Sequence, residues 1–476
     1  LCRWEMYAEG MSYNLNIKDL SAIPAEIRFS FSKASQFKYL REIALAELKL
    51  RGLTVSEHWK SLEAMKEVSW FKKSPFTMYV SEHWKDDDFF GYQFLNGINP
   101  YVIKRCTKLP SNFAVTEEMV KPFLANGNSL TAEMKKGNIF ISDYKIMEGL
   151  QTHIIDGKPV PLSAALCLLY LNPEKKLLPI AIQLTQQPSK ETLIFLPSDL
   201  DTDWLLAKIF VRHADSLYAQ VINHLQKTHL LAESFAMATL YALYFVCFWG
   251  LSQSTYASLC PHEDIAARGL ESIPNFYYRD DALRLWNIIN SFVRAVVAYY
   301  YPSDSEVSAD PELQEWINEI FYYGFLGNSD SGIPSSFQTV EELIKFVTMV
   351  IFTSSCRHSA VNGAQFDFQG WIPNAPVFLH HGPPTTKGQS STQAILVTLP
   401  NKALAAAALT FWFCLCQVPL GTYPEQRFDE PAVLQMIKDF QAELSSLSVA
   451  ITKRNSELEL PYNYLNPEVI ENSVAI

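Results

Sequence analysis

Two helix-like stretches and the chain terminus, spread over more than half of this sequence, carry the groups that most limit how it can fold. His224 and His229 stand five residues apart in an apolar stretch. His358 comes far downstream, with Asn362 four residues later. The chain closes on Glu471-Asn472-Ser473-Val474-Ala475-Ile476, and Ile476 carries a free α-carboxylate. A fold that uses these groups jointly must bring two distant helices and its own last atom to one point.

The spacing decides what each pair can do. On a regular α-helix, five residues turn through roughly 500°, leaving two side chains about 140° apart. A single π-turn brings them nearly into line, and such turns favour functional sites. A zinc-protease pattern needs four-residue spacing with a glutamate after the first histidine, and this stretch has neither. His358 and Asn362, four apart, share one helical face. Gln365 lies one turn beyond Asn362 and could orient its amide, while Gln220 lies one turn before His224. Three imidazoles, one weakly bound amide and one carboxylate suit a non-haem iron that handles oxygen. His58, His83, His153, His213, His262, His380 and His381 sit in turn-rich or mixed contexts and are assigned no role.

The chain has 476 residues, 48% of them hydrophobic, enough for a large core. A net charge of −11, with no basic block against it, argues against a nucleic-acid partner. The eight cysteines have no zinc-site or thioredoxin spacing, and free thiols fit a reducing cytosol. The N-terminus has no secretory h-region. Ala236 to Leu251 and Ala403 to Cys416 are apolar runs of sixteen and fourteen residues. Both fall short of the roughly 18–20 residues a bilayer requires, so both are expected as buried helices.

Residues 25–53 begin with alternation at Ile27 to Ser32 and continue with a helical pattern. Short strands are expected between 138 and 197, at Ile139-Phe140-Ile141, Leu166 to Tyr170 and Leu193 to Phe195. Helical periodicity dominates after Asp203. The 281–301 stretch is amphipathic, 337–362 becomes apolar all round, and 431–457 reads as a surface helix. Pro461 to Ile476 has no helical period and is expected as an extended tail that runs inward.

These residues resemble the animal lipoxygenases. The similarity rests on Asn223-His-Leu-Gln-Lys-Thr-His-Leu-Leu-Ala-Glu233, His358-x3-Asn362 and the Ile476 ending. It extends to Glu82 through Gly97, Arg268 through Trp286, and Trp371-Ile-Pro-Asn-Ala-Pro376. Tyr299 to Asp304 and Pro419 to Tyr423 lean toward the epidermal-type branch, some of whose members are hydroperoxide isomerases. The resemblance implies a mainly α catalytic domain around a long central helix, with a few short strands; family members usually carry an N-terminal β-barrel as well, which is expected to be absent here. It implies one non-haem iron, cycling between Fe2+ and Fe3+, held by His224, His229, His358, Asn362 and the Ile476 carboxylate. Gln220 and Gln365 would bridge around it, and no side chain acts beyond the iron-bound hydroxide. The substrates implied are O2 and a polyunsaturated fatty acid such as arachidonate or linoleate. Ferric hydroxide takes a bis-allylic hydrogen and O2 adds, giving a hydroperoxide.

The chain also departs from the family. Residues 1–476 read as one lipoxygenase catalytic domain, with family segments missing or replaced near 244–258 and 402–417. These coincide with the two apolar runs. Ser216 stands where several members have a bulky pocket residue. Two alternatives therefore stay open: a hydroperoxide isomerase of the same fold, and an inactive truncated form that binds lipid or a partner. The expected location is cytoplasmic, with any peripheral membrane contact weakened by the absent β-barrel.

Overall fold

The computed structural model describes residues 4–6, 13–15, 31–52, 55–67, 74–150, 152, 154–155, 158–188, 192–240, 255–325, 327–411, 418–423, 428–472 and 474. Several expectations fall outside these residues: the Ile476 carboxylate, the alternation at 27–30, His153, the end of the second apolar run at 412–416, and most of the segment near 244–258.

The first helices are α1 (Phe31–Leu50), α2 (Pro75–His83) and α3 (Asp87–Asn96). Phe31 and Ser32, expected to continue an alternating strand pattern, instead open α1. α2 starts on a capping box: Ser74 accepts from the Thr77 backbone and the Thr77 hydroxyl accepts from the Ser74 backbone. Pro75 at the first helical position sets φ without wasting a donor.

A five-stranded antiparallel meander follows, with its strands side by side in chain order. They are β1 (Lys104–Arg105), β2 (Ile139–Asp143), β3 (Leu166–Leu171), β4 (Leu177–Gln183) and β5 (Ile194–Phe195). β3 shows why its run is continuously apolar. Successive side chains point to opposite faces of a strand. Leu166, Leu168 and Tyr170 join one hydrophobic cluster, while Cys167 and Leu169 join the other. Both faces are covered, so alternation disappears from the sequence.

α3 lies on this sheet through Gly91. A β-carbon there would collide with the backbone carbonyl of Leu177 on β4. Glycine is what lets the helix backbone approach the strand.

The centre of the molecule is an unbroken helical path from 201 to 240. It comprises α4 (Asp201–Tyr218), a π-wound segment (Ala219–Leu230) and α5 (Leu231–Leu240). A buried polar cluster anchors it. Asp215 pairs with Arg212 at 2.9 Å and accepts from Tyr144 and Asn99, both at 2.7 Å. Asn223 in turn donates to Asn99 at 2.7 Å. The cluster ties the helix to the sheet side through Tyr144 and to the loop after α3 through Asn99.

α6 (Tyr277–Tyr300) buries Leu285, Ile289, Val293 and Val297 along one stripe, as its helical period implies. It packs against α7 (Val340–Phe352) and against the late surface helix, Pro431–Asn455. After α7 come a second π-wound segment (Thr353–Arg357), α8 (His358–Asn362) and α9 (Gln365–Gln369). α10 (Lys402–Phe411) packs against α1, and α11 (Pro431–Asn455) is the helix that packs against α6. α5 and α10 take up the described parts of the two apolar runs, and no described helix is long and apolar enough to cross a membrane.

The described part of the tail beyond Pro461 runs inward as expected. Tyr462, Leu465 and Ile470 are buried. Leu420 donates to the Ile470 carbonyl at 2.8 Å, and Asn472 to the Val418 carbonyl at 3.0 Å.

Gly91→Ala should cost at least about 3 kcal/mol in a urea melt, because overpacking against a strand backbone cannot be relieved by rotation. His213, fully buried on α4, is held neutral down to about 4 by desolvation. Unfolding lets it take up a proton at its ordinary value near 6.5. The unfolded chain therefore binds more protons between about pH 4 and 6.5, and stability falls as pH drops through that window. Urea midpoints at pH 7 and pH 5 should differ less in His213→Leu than in the wild type.

Candidate metal centre

His224 and His229 lie within the π-wound segment. Hydrogen bonding from i to i+5 stacks residues five apart. Their ring centroids are 4.7 Å apart and their Nε2 atoms 3.0 Å apart. The local sequence supports the wider winding. The Thr228 hydroxyl donates to the His224 carbonyl, and that of Ser234 to the Leu230 carbonyl at 3.0 Å. Such back-bonding supplies partners to carbonyls and loosens the regular ladder. The second π-wound segment repeats the device just before His358, where the Ser355 hydroxyl donates to the Ile351 carbonyl at 2.6 Å.

His358 comes in from the other helix. Its Nε2 is 3.3 Å from that of His224, and its ring centroid 4.8 Å from that of His229. The ligand atoms of the three histidines all lie within 4.8 Å of one another, the one such group among the described residues. One N–H···N bond could satisfy two of these rings, but the third lone pair would remain without a proton. A cation satisfies all three. Two imidazoles bound at about 2.1 Å and at right angles would stand about 3.0 Å apart, close to the 3.0 Å between His224 and His229 and the 3.3 Å between His224 and His358.

Burial keeps the rings ready to ligate. It pushes His224 down to about 3, with the neighbouring His229 adding to the effect. It pushes His229 down to about 4, opposed by a hydrogen bond to the Val474 backbone. Neutral imidazole is the ligating form, so both rings stay competent far below neutrality. The Val474 contact also brings the tail to within two residues of its end at the cluster. Asn362 closes α8 on the chain stretch that begins with His358.

Two amides face the outer nitrogen of His224. Its Nδ1 lies 3.3 Å from Gln220 Oε1 and 3.0 Å from Gln365 Nε2. Gln365, expected to orient Asn362, thus reaches across to His224. When Nε2 ligates, Nδ1 carries the proton and donates it, and Gln220 Oε1 already faces it as acceptor. Gln220 donates onward to Gln369 Oε1 at 3.1 Å. Sequence reading missed Gln369, whose signal was its place one helical turn beyond Gln365. It also missed Asn223, which fixes the helix immediately beside His224. Arg357 holds the other side, donating to the Ser258 carbonyl at 3.0 Å and stacking 4.2 Å over the Tyr101 ring. Ser216 is buried with no partner for its hydroxyl among the described residues. Val221 and Leu225 are 46% and 45% exposed, so one side of the histidine-bearing helix meets solvent.

The arrangement can be set beside known proteins. The lipoxygenase family model matches residues 23–246 and 260–468. The human polyunsaturated fatty acid lipoxygenase ALOX15B is 40% identical over 527 positions, covering 100% of this chain and 78% of that protein. The human hydroperoxide isomerase ALOXE3 is 41% identical over 481 positions, covering 90% of this chain and 68% of that one. A lipoxygenase crystal structure determined in complex with arachidonate superposes with a TM-score of 0.91 at 33% identity, covering 100% of this chain and 79% of its own. The chain belongs to the lipoxygenase family.

Gln220→Leu should leave the thermal midpoint within about 2 °C and weaken metal binding by about 10–100-fold, because the ring loses an acceptor that orients it. Competition against a chelator of known affinity measures this.

Proposed function

We infer that this chain is a non-haem iron dioxygenase that converts polyunsaturated fatty acids, such as arachidonate or linoleate, to hydroperoxides. The convergence of three buried, neutral imidazoles on one point, in a chain of this family, carries the reading. His224, His229 and His358 would hold the iron, with Asn362 and the Ile476 carboxylate completing the set. Bound there, iron supplies one-electron redox chemistry for removing a bis-allylic hydrogen, after which O2 adds to the carbon radical. The protein's own contribution is positional. Gln220 and Gln365 orient His224 through Nδ1. The Asp215 cluster holds the helix that carries it, and the Val474 backbone hydrogen-bonds His229.

A second reading has its own support: a metal-binding chain of this fold with little or no turnover. The match to ALOX15B runs over 527 positions while the chain has 476 residues, so at least 51 positions of that relative have no counterpart here. The family match is also interrupted between 246 and 260. Val221 and Leu225 are exposed, so one side of the histidine-bearing helix lies open to solvent. Hydroperoxide isomerisation stays a third outcome, in line with the name of one relative.

One pair of assays separates the three. Purified protein is analysed for iron, then given arachidonate and, separately, its hydroperoxide. The leading reading predicts close to one iron per chain and growth of conjugated-diene absorbance from the fatty acid. Iron without diene formation supports the second reading, and consumption of hydroperoxide alone supports the third. Less than about a tenth of an iron per chain, a level that reflects a lost ligand set, contradicts all metal-based readings. Adding one residue after Ile476 moves the carboxylate by up to about 3.6 Å. That variant should lose most of its iron.

A further inference from the structure

A separate cavity of about 260 Å³ lies between α2, α3, the β3–β4 turn and the start of α6. This is headgroup-sized, below the roughly 300–1,000 Å³ of pockets for drug-sized ligands. Its walls are aromatic: Tyr79 meets Phe89 edge-on at 5.5 Å, Phe89 and Tyr92 lie nearly parallel at 6.1 Å, and Tyr277 closes another side. Arg454, outside the cavity lining, lies 5.1 Å from the Tyr277 ring, so this ring is already paired with one cation.

Charges of both signs line the same space. Asp88 and Glu459 supply carboxylates, and Lys175 and Lys176 supply ammonium groups. The field on the aromatic side is negative: burial, then Glu459, Asp88 and Asp86, push the Tyr79 hydroxyl up to about 12. Lys176 meets Asp88 at 2.6 Å, but the two side chains are 52% and 39% exposed, so the pair is weakly held. Lys175 sits at φ +62 in the β3–β4 turn. Glycine or asparagine takes that conformation at lower cost, yet a lysine is placed there, at the mouth of the cavity.

An aromatic wall suits a cation that donates no hydrogen bonds, which points to a quaternary ammonium rather than a primary amine. We propose that this cavity binds a phosphocholine-type zwitterion, with its trimethylammonium group against the tyrosines, Asp88 and Glu459, and its phosphate on Lys175 and Lys176. The site is independent of the metal centre. Its ligand could be the headgroup of a membrane phospholipid or a soluble phosphocholine ester, which share this chemistry.

The test is calorimetric titration of the full chain with phosphocholine, with choline and inorganic phosphate as separate probes. Saturable phosphocholine binding, tighter than either fragment, is expected. Tyr79→Leu should weaken it about tenfold. Lys175→Gly should weaken it comparably while leaving the melting temperature unchanged or raised, since glycine fits the positive φ. That variant separates loss of binding from loss of fold. Sedimentation with phosphatidylcholine and phosphatidylglycerol vesicles then identifies the source. Capture by phosphatidylcholine vesicles alone, reduced in both variants, points to the membrane headgroup. Phosphocholine binding without vesicle capture supports the site with a soluble ester as its ligand. No saturable phosphocholine binding, or equal binding by wild type and both variants, overturns the proposal.

Discussion

The meeting of three imidazole nitrogens from two separate helices is the constraint on which the rest of this molecule turns. His224 and His229 can share a point only where the helix winds as π, and His358 must arrive from a second helix that is itself π-wound just before it. π-winding leaves the backbone ladder less regular, and the chain offsets this with hydroxyls at Thr228, Ser234 and Ser355. It then fixes the helix from outside. The Asp215 cluster reaches Asn223, one residue before the first ligand candidate, so buried charge and buried geometry are parts of one device.

Burial does two things at this centre. It removes water from the rings, which holds them neutral and able to ligate, and it raises the cost of leaving their lone pairs unmet. The two amides on the His224 Nδ1 set which nitrogen carries the proton. Gln369 extends that chain by one more amide, so the tautomer of one ring is controlled from two helices.

Much of this was legible in the chain itself. The five-residue spacing of His224 and His229 excluded a regular helix and asked for a π-turn, which is what the fold contains. The stripe on Tyr277–Tyr300 and the inward tail also followed from local pattern and terminal chemistry. Other features depend on tertiary partners that no local pattern records. Phe31 and Ser32 alternate like a strand yet open a helix, since α-helical continuation downstream decides their state. Gln365 is one turn from Asn362 but reaches the opposite helix, a matter of how the two helices cross. Asn99 and Tyr144 are far from the histidines in sequence, and nothing local connects them to Asp215.

The most direct measurement is an anomalous-difference map collected at the iron absorption edge from crystals of the purified protein. The account predicts one peak at about 2.0–2.2 Å from the Nε2 atoms of His224, His229 and His358 together. The absence of a peak there in iron-replete crystals, or a peak bound by only one of the three rings, would contradict it.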